Sequence, residues 1–263
     1  NAALCTDDWL RSRWGFGVVP IEAATIVAAN ACDVSIPFTV YAYPPDGIGP
    51  PGPTTGSAAR YTINGSFTSD QDKESVLRDM LLSMGGKAIN GAGWTLLAGA
   101  WTTPVRDIVD GDDMGPLQIA QAGAPMDEIF NGVRGTFIPY GESASAEINP
   151  PYQNTTFVTA DGQELWENLA FPYTDNAARA ANLARIAVEV ARNGLTIVYP
   201  AKLKHWDLQV GQRVRVTNAE YGFTAKEFQI LNWEFSQDAA VLLTLQEDAE
   251  AAYDLADAGI ADP

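Results

Sequence analysis

Apolar and polar residues alternate most regularly between Trp206 and Asp248, and three consecutive strands follow from that alternation. Val214 and Val216 interleave with Arg213, Arg215 and Thr217, the period-two pattern of a strand with one buried and one wet face. NAEYG turns the chain. In KEFQILNWEFS, Phe228 and Ile230 fall in one phase and Leu231, Trp233 and Phe235 in the other, so this strand is buried on both sides or bulged near Ile230. After a Ser-Gln-Asp turn, Val241, Leu243 and Leu245 alternate with Leu242, Thr244 and Gln246. A three-stranded meander needs closure or a second layer to cover its apolar face, which implies a β-barrel or sandwich.

Upstream, TDDWLRSRW reads as a first helix with Thr6 as N-cap and Gly15 as stop, and IEAATIVAANACDVSIP as a second with Ile21, Ala24, Ala28 and Cys32 at helical spacing. The stretch YAYPPDGIGPPGPTTGSAAR is rich in Pro and Gly and reads as a loop. Its GIGPPG matches the letters of a dinucleotide fingerprint, but two prolines forbid the strand-turn-helix that gives those letters meaning. RYTINGSF reads as a strand. A capping-box-like Ser69 to Asp72 then opens a helix with Val76, Leu77, Met80, Leu81 and Met84 on its apolar face, ending at Gly85 and Gly86. KAIN and WTLLAGAW form a hairpin.

The polar run VRDIVDGDDMGP is the expected connector between two domains, with the boundary between Pro104 and Gly115. IFNGVRGTFIP and NTTFVTAD read as strands flanking the loop GESASAEINPPYQ. TDNAARAANLARIAVEVARNG is a long amphipathic helix. Its polar stripe of Arg179, Asn182, Arg185, Glu189 and Arg192 is expected to face solvent or another subunit, opposite Leu183, Ala187 and Val190. LTIVYPAKLKHW returns to strand. The expected fold class is therefore α+β: an α-α-β-α-β-β domain over 1–110, a tube-like antiparallel β-barrel or sheet with one packed helix over 111–250, and an acidic tail over 251–263 that reads as solvated.

Charge narrows the function. Sixteen basic against 33 acidic side chains give −17, which argues against gripping a phosphate backbone, so no direct nucleic-acid binding is expected. No apolar run is long enough to span a bilayer as a helix. The chain opens without Met and reads as a fragment or excised piece, with Asn1-Ala2 as a potential tag remnant. Cys5 and Cys32 cannot make a disulfide framework and read as buried free thiols.

Candidate chemistry is sparse. The single histidine, His205, has no His or Cys at ligand spacing and reads as structural. DGDDMG lacks the spacing of a calcium loop and reads as a solvated linker, and no nucleophile elbow or P-loop occurs. Asn64 and Asn154 open glycosylation sequons that matter only in a secreted eukaryotic chain. No catalytic, cofactor-binding or metal residue is assigned, and no cofactor is expected.

The order of these segments resembles the hub region of siphophage tail-tip proteins, the family of phage lambda tail protein J. The resemblance rests on Asn1, Ala3, Asp8, Leu10 and WGFG at Trp14 to Gly17, on the helix entering Cys32-Asp33, and on RYTINGSF with its following helix and hairpin. IFNGVRGTFIP, DNAARAANLARI, the run from Pro200 to Phe235 and the closing LTLQED follow in family order, although Ala2 stands where the family has proline. What the resemblance implies is a non-enzymatic structural subunit of a phage or prophage virion. It would be assembled in the bacterial cytoplasm, trimeric in the tail tip and in contact with other tail proteins, linking the tail tube to distal attachment parts. A further tube domain would lie upstream of Asn1 and fibre or receptor-binding parts downstream of Pro263. Two other classes compete with it: a tail-associated peptidoglycan hydrolase, and a glycan-binding module, for which Trp9, Trp101 or Trp166 exposed on a groove would be the clue.

Overall fold

The computed structural model describes residues 1–42, 52–90, 93–125, 129–236 and 241–253. Its elements run α1 (Ala2–Arg11), α2 (Glu22–Asp33), β1 (Ser35–Ala42), β2 (Gly52–Ala59), α3 (Lys73–Leu82), β3 (Lys87–Asn90), β4 (Trp94–Leu97), β5 (Arg106–Val109), β6 (Gln118–Ala122), β7 (Gly132–Phe137), β8 (Ala146–Glu147) and β9 (Tyr152–Gln153). They continue through α4 (Thr155–Asp161), β10 (Trp166–Phe171), α5 (Ala177–Ala191), β11 (Leu195–Ala201), a 3-10 turn at Leu203–His205, β12 (Arg213–Asn218), β13 (Phe223–Phe235), β14 (Val241–Glu247) and a second 3-10 turn at Glu250–Tyr253. The fold is α+β.

The expected meander is β12, β13 and β14, at the centre of a six-stranded sheet ordered β5-β12-β13-β14-β11-β6. Its β12/β13, β13/β14, β14/β11 and β11/β6 pairs are antiparallel, and β5 runs parallel to β12. A bulge sits in β13 between Ile230 and Asn232, so the change of phase read from the sequence is a real irregularity. One face of the sheet supplies a whole core: Leu195, Ile197 and Tyr199 from β11, Val214 and Val216 from β12, Phe228 and Ile230 from β13, and Val241, Leu243 and Leu245 from β14. A single sheet can enclose its own side chains only by curling. The curl stops short of a barrel, and β5 and β6 remain as edges. Both lie in or near the segment read as a polar connector, where short exposed strands carry almost no alternation.

The second sheet is smaller. β7 pairs in parallel with β10 and antiparallel with β8 and β9. The expected strand at NTTFVTAD is α4 instead. Asn154 Oδ1 accepts from the N–H groups of Thr156 and Phe157, and Gly162 at φ 71° ends the helix, so local capping overrides the β-branched run. The strand-forming residues come later, at Trp166–Phe171.

α5 lies against β7 and also shares a core with the N-terminal helices. Ala180, Leu183, Ala184, Ile186 and Val188 share one buried cluster with Ala2, Ala3, Ala28, Cys32 and Met84 and with Val133, Phe137, Ile148 and Phe171, and α5 also meets β9 and the final 3-10 turn. A helix with this many neighbours cannot keep a solvated stripe. Asn182 and Arg185 are accordingly buried, Arg179 reaches Asp175 and the Ala59 carbonyl, and Arg192 reaches Asp161 at 2.6 Å. The stripe expected at the surface is mostly an internal polar seam.

Smaller differences have local causes. α1 starts at Ala2 because Asn1, not Thr6, is its cap: Asn1 Oδ1 accepts from the Leu4 N–H, and Thr6 Oγ1 donates back to the Ala2 carbonyl. Asn1 also donates to the Ala29 carbonyl, and Ala2 is fully buried, so both belong to the fold. Cys5 is exposed; Cys32 is buried, and burial pushes its thiol up to about 11. α3 begins behind Asp72, which caps Ser75, and the β3/β4 hairpin is present as expected. RYTINGSF forms no strand, while β2 lies in the stretch read as loop and pairs antiparallel with β1, which starts at Ser35, inside the segment expected to end the second helix. Most of GIGPPG and the Gln-Asp turn after Ser236 lie outside the described residues, as does the tail from residue 254. The start of that tail is not solvated: Ala252 and Tyr253 are buried.

Candidate assembly interface

The β5 edge is built from two turns locked together by charge. Arg106 forms a two-pronged pair with Asp207 at 2.7 and 2.8 Å and donates to the Lys204 carbonyl. Asp112 accepts from Lys204 at 2.5 Å, which holds its carboxyl below the ordinary range, and its carbonyl accepts the Lys202 N–H. Asp110 accepts from the Ala219 N–H, and Asp113 from that of Gly111. Asp110 and Asp112 therefore staple the 110–113 turn to its neighbours, and Asp113 closes the turn on itself. His205 is buried beside them. Its Nε2 stands 3.5 Å from Asp112, neither ring nitrogen makes a hydrogen bond among the described residues, and desolvation lowers its pKa. No group of three or more His, Cys, Asp or Glu side chains suited to a metal occurs among the described residues.

Around this locked corner the surface is apolar. Val105, Val109, Met114, Leu203 and Trp206 are each about half or more exposed. At the other edge, all five residues of β6 are exposed, none is charged, and Ile119 is 45% accessible. Among the described residues β6 pairs only with β11, and it bulges at Ala120, where its register shifts. Short length and a bulge moderate a sheet edge, yet the outward N–H and C=O groups of β6 still form a template for another strand.

The tryptophans that would mark a glycan groove lie apart from this edge. Trp101 is half-buried under the Arg213 guanidinium at 4.7 Å, and Trp166 lies under Arg134 at 4.9 Å. Trp9 is 7% exposed in the wall of a pocket of about 440 Å³ beside α1. No helix among the described residues is long and apolar enough to cross a membrane. None of the edge residues was singled out from the sequence. The one available signal was the run of exposed-type residues QIAQA after a turn, too short to announce a strand.

The sequence matches no family model and no curated protein. Among solved structures, the chain is similar to a protein in the virion of a native gene transfer agent particle, with TM-score 0.55 and 18% identity over 82% of this chain and 46% of that one. It is also similar to the 43 kDa tail protein of prophage MuSo2 from Shewanella oneidensis, with TM-score 0.44 and 13% identity over 82% of this chain and 60% of that one. A third is prophage tail protein gp18 from Listeria monocytogenes, with TM-score 0.40 and 11% identity over 83% and 67%. The chain spans less than half of the gene transfer agent protein. At this identity the first likeness speaks for a shared fold alone.

Proposed function

We propose that this chain is a structural, non-enzymatic subunit of a phage or prophage tail, acting as part of a hub in the tail tip that joins the tail tube to distal host-attachment parts. The observation that carries the reading is the open six-stranded sheet with two edges unpaired among the described residues, one of them uncharged. Pairing β6 of one copy with an edge strand of the next is a heterologous contact, which closes into a ring when the rotation per copy permits. A homotrimer is the ring proposed. The likeness of fold to a virion protein supports this reading, as does the order of segments shared with tail-tip hubs. On this reading the chain divides near Pro104 to Gly115, where it enters the six-stranded sheet. The protein resides in the virion, after assembly in the bacterial cytoplasm.

Sedimentation equilibrium across a salt series tests the contact. At −17 per copy, neighbours repel at low salt, and screening at physiological strength acts beyond about 8 Å. The chain is expected to be monomeric or weakly associated at low salt and to move toward a trimer as salt and concentration rise. Ile119→Lys, a charge on the β6 edge, is expected to remove that association without changing the circular dichroism. A tight dimer indifferent to ionic strength, or an Ile119→Lys variant that associates like the parent, would count against the ring.

A further inference from the structure

The pocket beside α1 has features that assembly does not use. Trp9 forms its inner wall and meets Phe67 edge-to-face, with ring centroids 4.7 Å apart. Tyr173 closes in against Gly65, where a Cβ would stand 2.3 Å from Tyr173 Cδ1, so only glycine admits the ring there. Ile63 and Met80 are apolar lining, and the Trp14 indole is 60% exposed. The polar groups are few. Asp8 is exposed and its carboxylate makes no hydrogen bond or ion pair among the described residues, while Ser12 Oγ accepts from the Gly15 N–H and keeps its own proton to donate. The Arg13 guanidinium lies 4.9 Å from the Trp14 ring centroid.

We propose that this pocket binds an N-acetylated hexosamine. Its volume of about 440 Å³ suits a small ligand, for which sites of about 300 to 1,000 Å³ are usual. An acceptor-only carboxylate and a hydroxyl near one exposed indole match a ring whose hydroxyls both donate and accept while its C–H face lies on the aromatic surface. An organic cation fits less well, because Arg13 already places a positive charge on Trp14. A plain hexose would set a hydroxyl against Ile63 and Met80 with nothing to bond it, whereas an acetamido methyl is at home there. The proposal is independent of the assembly reading, and the two can fail separately.

Saturation-transfer NMR with N-acetylglucosamine, glucose and choline as probes tests it. The acetyl methyl protons of N-acetylglucosamine are expected to receive the strongest transfer, with glucose weaker by about tenfold or more, since it lacks the apolar group. Trp14→Ala removes an exposed ring and should leave the fold intact while weakening binding about tenfold. Asp8→Asn should also weaken it. Absence of transfer to N-acetylglucosamine, equal binding of glucose, preference for choline, or a Trp14→Ala variant that titrates like the parent would each overturn the assignment.

Discussion

Arg213→Met is expected to destabilise the protein by about 3–5 kcal/mol, the cost of leaving a buried charge without its partner. Arg213 is 3% exposed, and its Nε lies 2.7 Å from Asp248, which is also buried. The same guanidinium donates to Thr102 Oγ1 at 2.7 Å and lies over the rings of Trp101 and Tyr253. It thus ties β12 to the segment after β4 and to the final 3-10 turn. The Lys87 ammonium is close by, held by Gln246 at 3.0 Å, with its pKa lowered chiefly by burial, and it offers only a partial substitute for Arg213. Adding Asp248→Leu to Arg213→Met should recover most of the loss, because the expense lies in the orphaned carboxylate more than in the missing pair. Urea unfolding of the parent, the single and the double variants measures both quantities. A single-variant loss below about 1 kcal/mol would show that water reaches the pair.

Phe228→Ala is expected to cost about 3–5 kcal/mol, because Phe228 is fully buried in the core that the curled sheet encloses. Trp233, which the sequence pattern puts beside it as a core residue, is only half-buried and stacks edge-to-face on exposed Phe235 at 4.5 Å. Its replacement by Ala should cost less, about 1–2 kcal/mol. The bulge after Ile230 keeps Trp233 opposite Leu243 on the core side, and its smaller expected loss comes from its partial exposure beside Phe235 near the end of the strand. Equal losses for the two variants, measured with unchanged denaturant dependence, would mean that Trp233 is enclosed as fully as Phe228.

What could be read from the sequence was what local physics decides. Alternation gave the three central strands, and a capping box over Ser69 to Asp72 gave the start of α3, where Asp72 is the cap; the helix stops at Leu82, ahead of the Gly85-Gly86 pair expected to end it. Elements set by tertiary contact were harder to see. β5 and β6 are short strands that exist because β12 and β11 offer them ladders, and QIAQA has no periodicity of its own. α5 was legible as a helix, but its environment was not. An amphipathic pattern implies one wet side, but Asn182 and Arg185 are buried, and Arg185 donates to the Ala251 carbonyl of the final 3-10 turn. α4 was misread because Thr and Val favour strands, while the capping by Asn154 that reverses the preference is a matter of geometry. The pocket beside α1 joins Trp9 and Trp14 to Phe67 and Tyr173, residues far apart along the chain, so sequence could supply the aromatic rings without their meeting.

The place of this chain in a particle is the central claim, and labelling it there is the most direct test. Particles from the bacterium that encodes the chain would be purified, washed at high salt and imaged by electron microscopy with a gold-conjugated antibody raised against residues 1–263. Label is expected at the distal end of the tail. Label on the capsid, or its complete loss on washing with the tails intact, would contradict a tail-tip role.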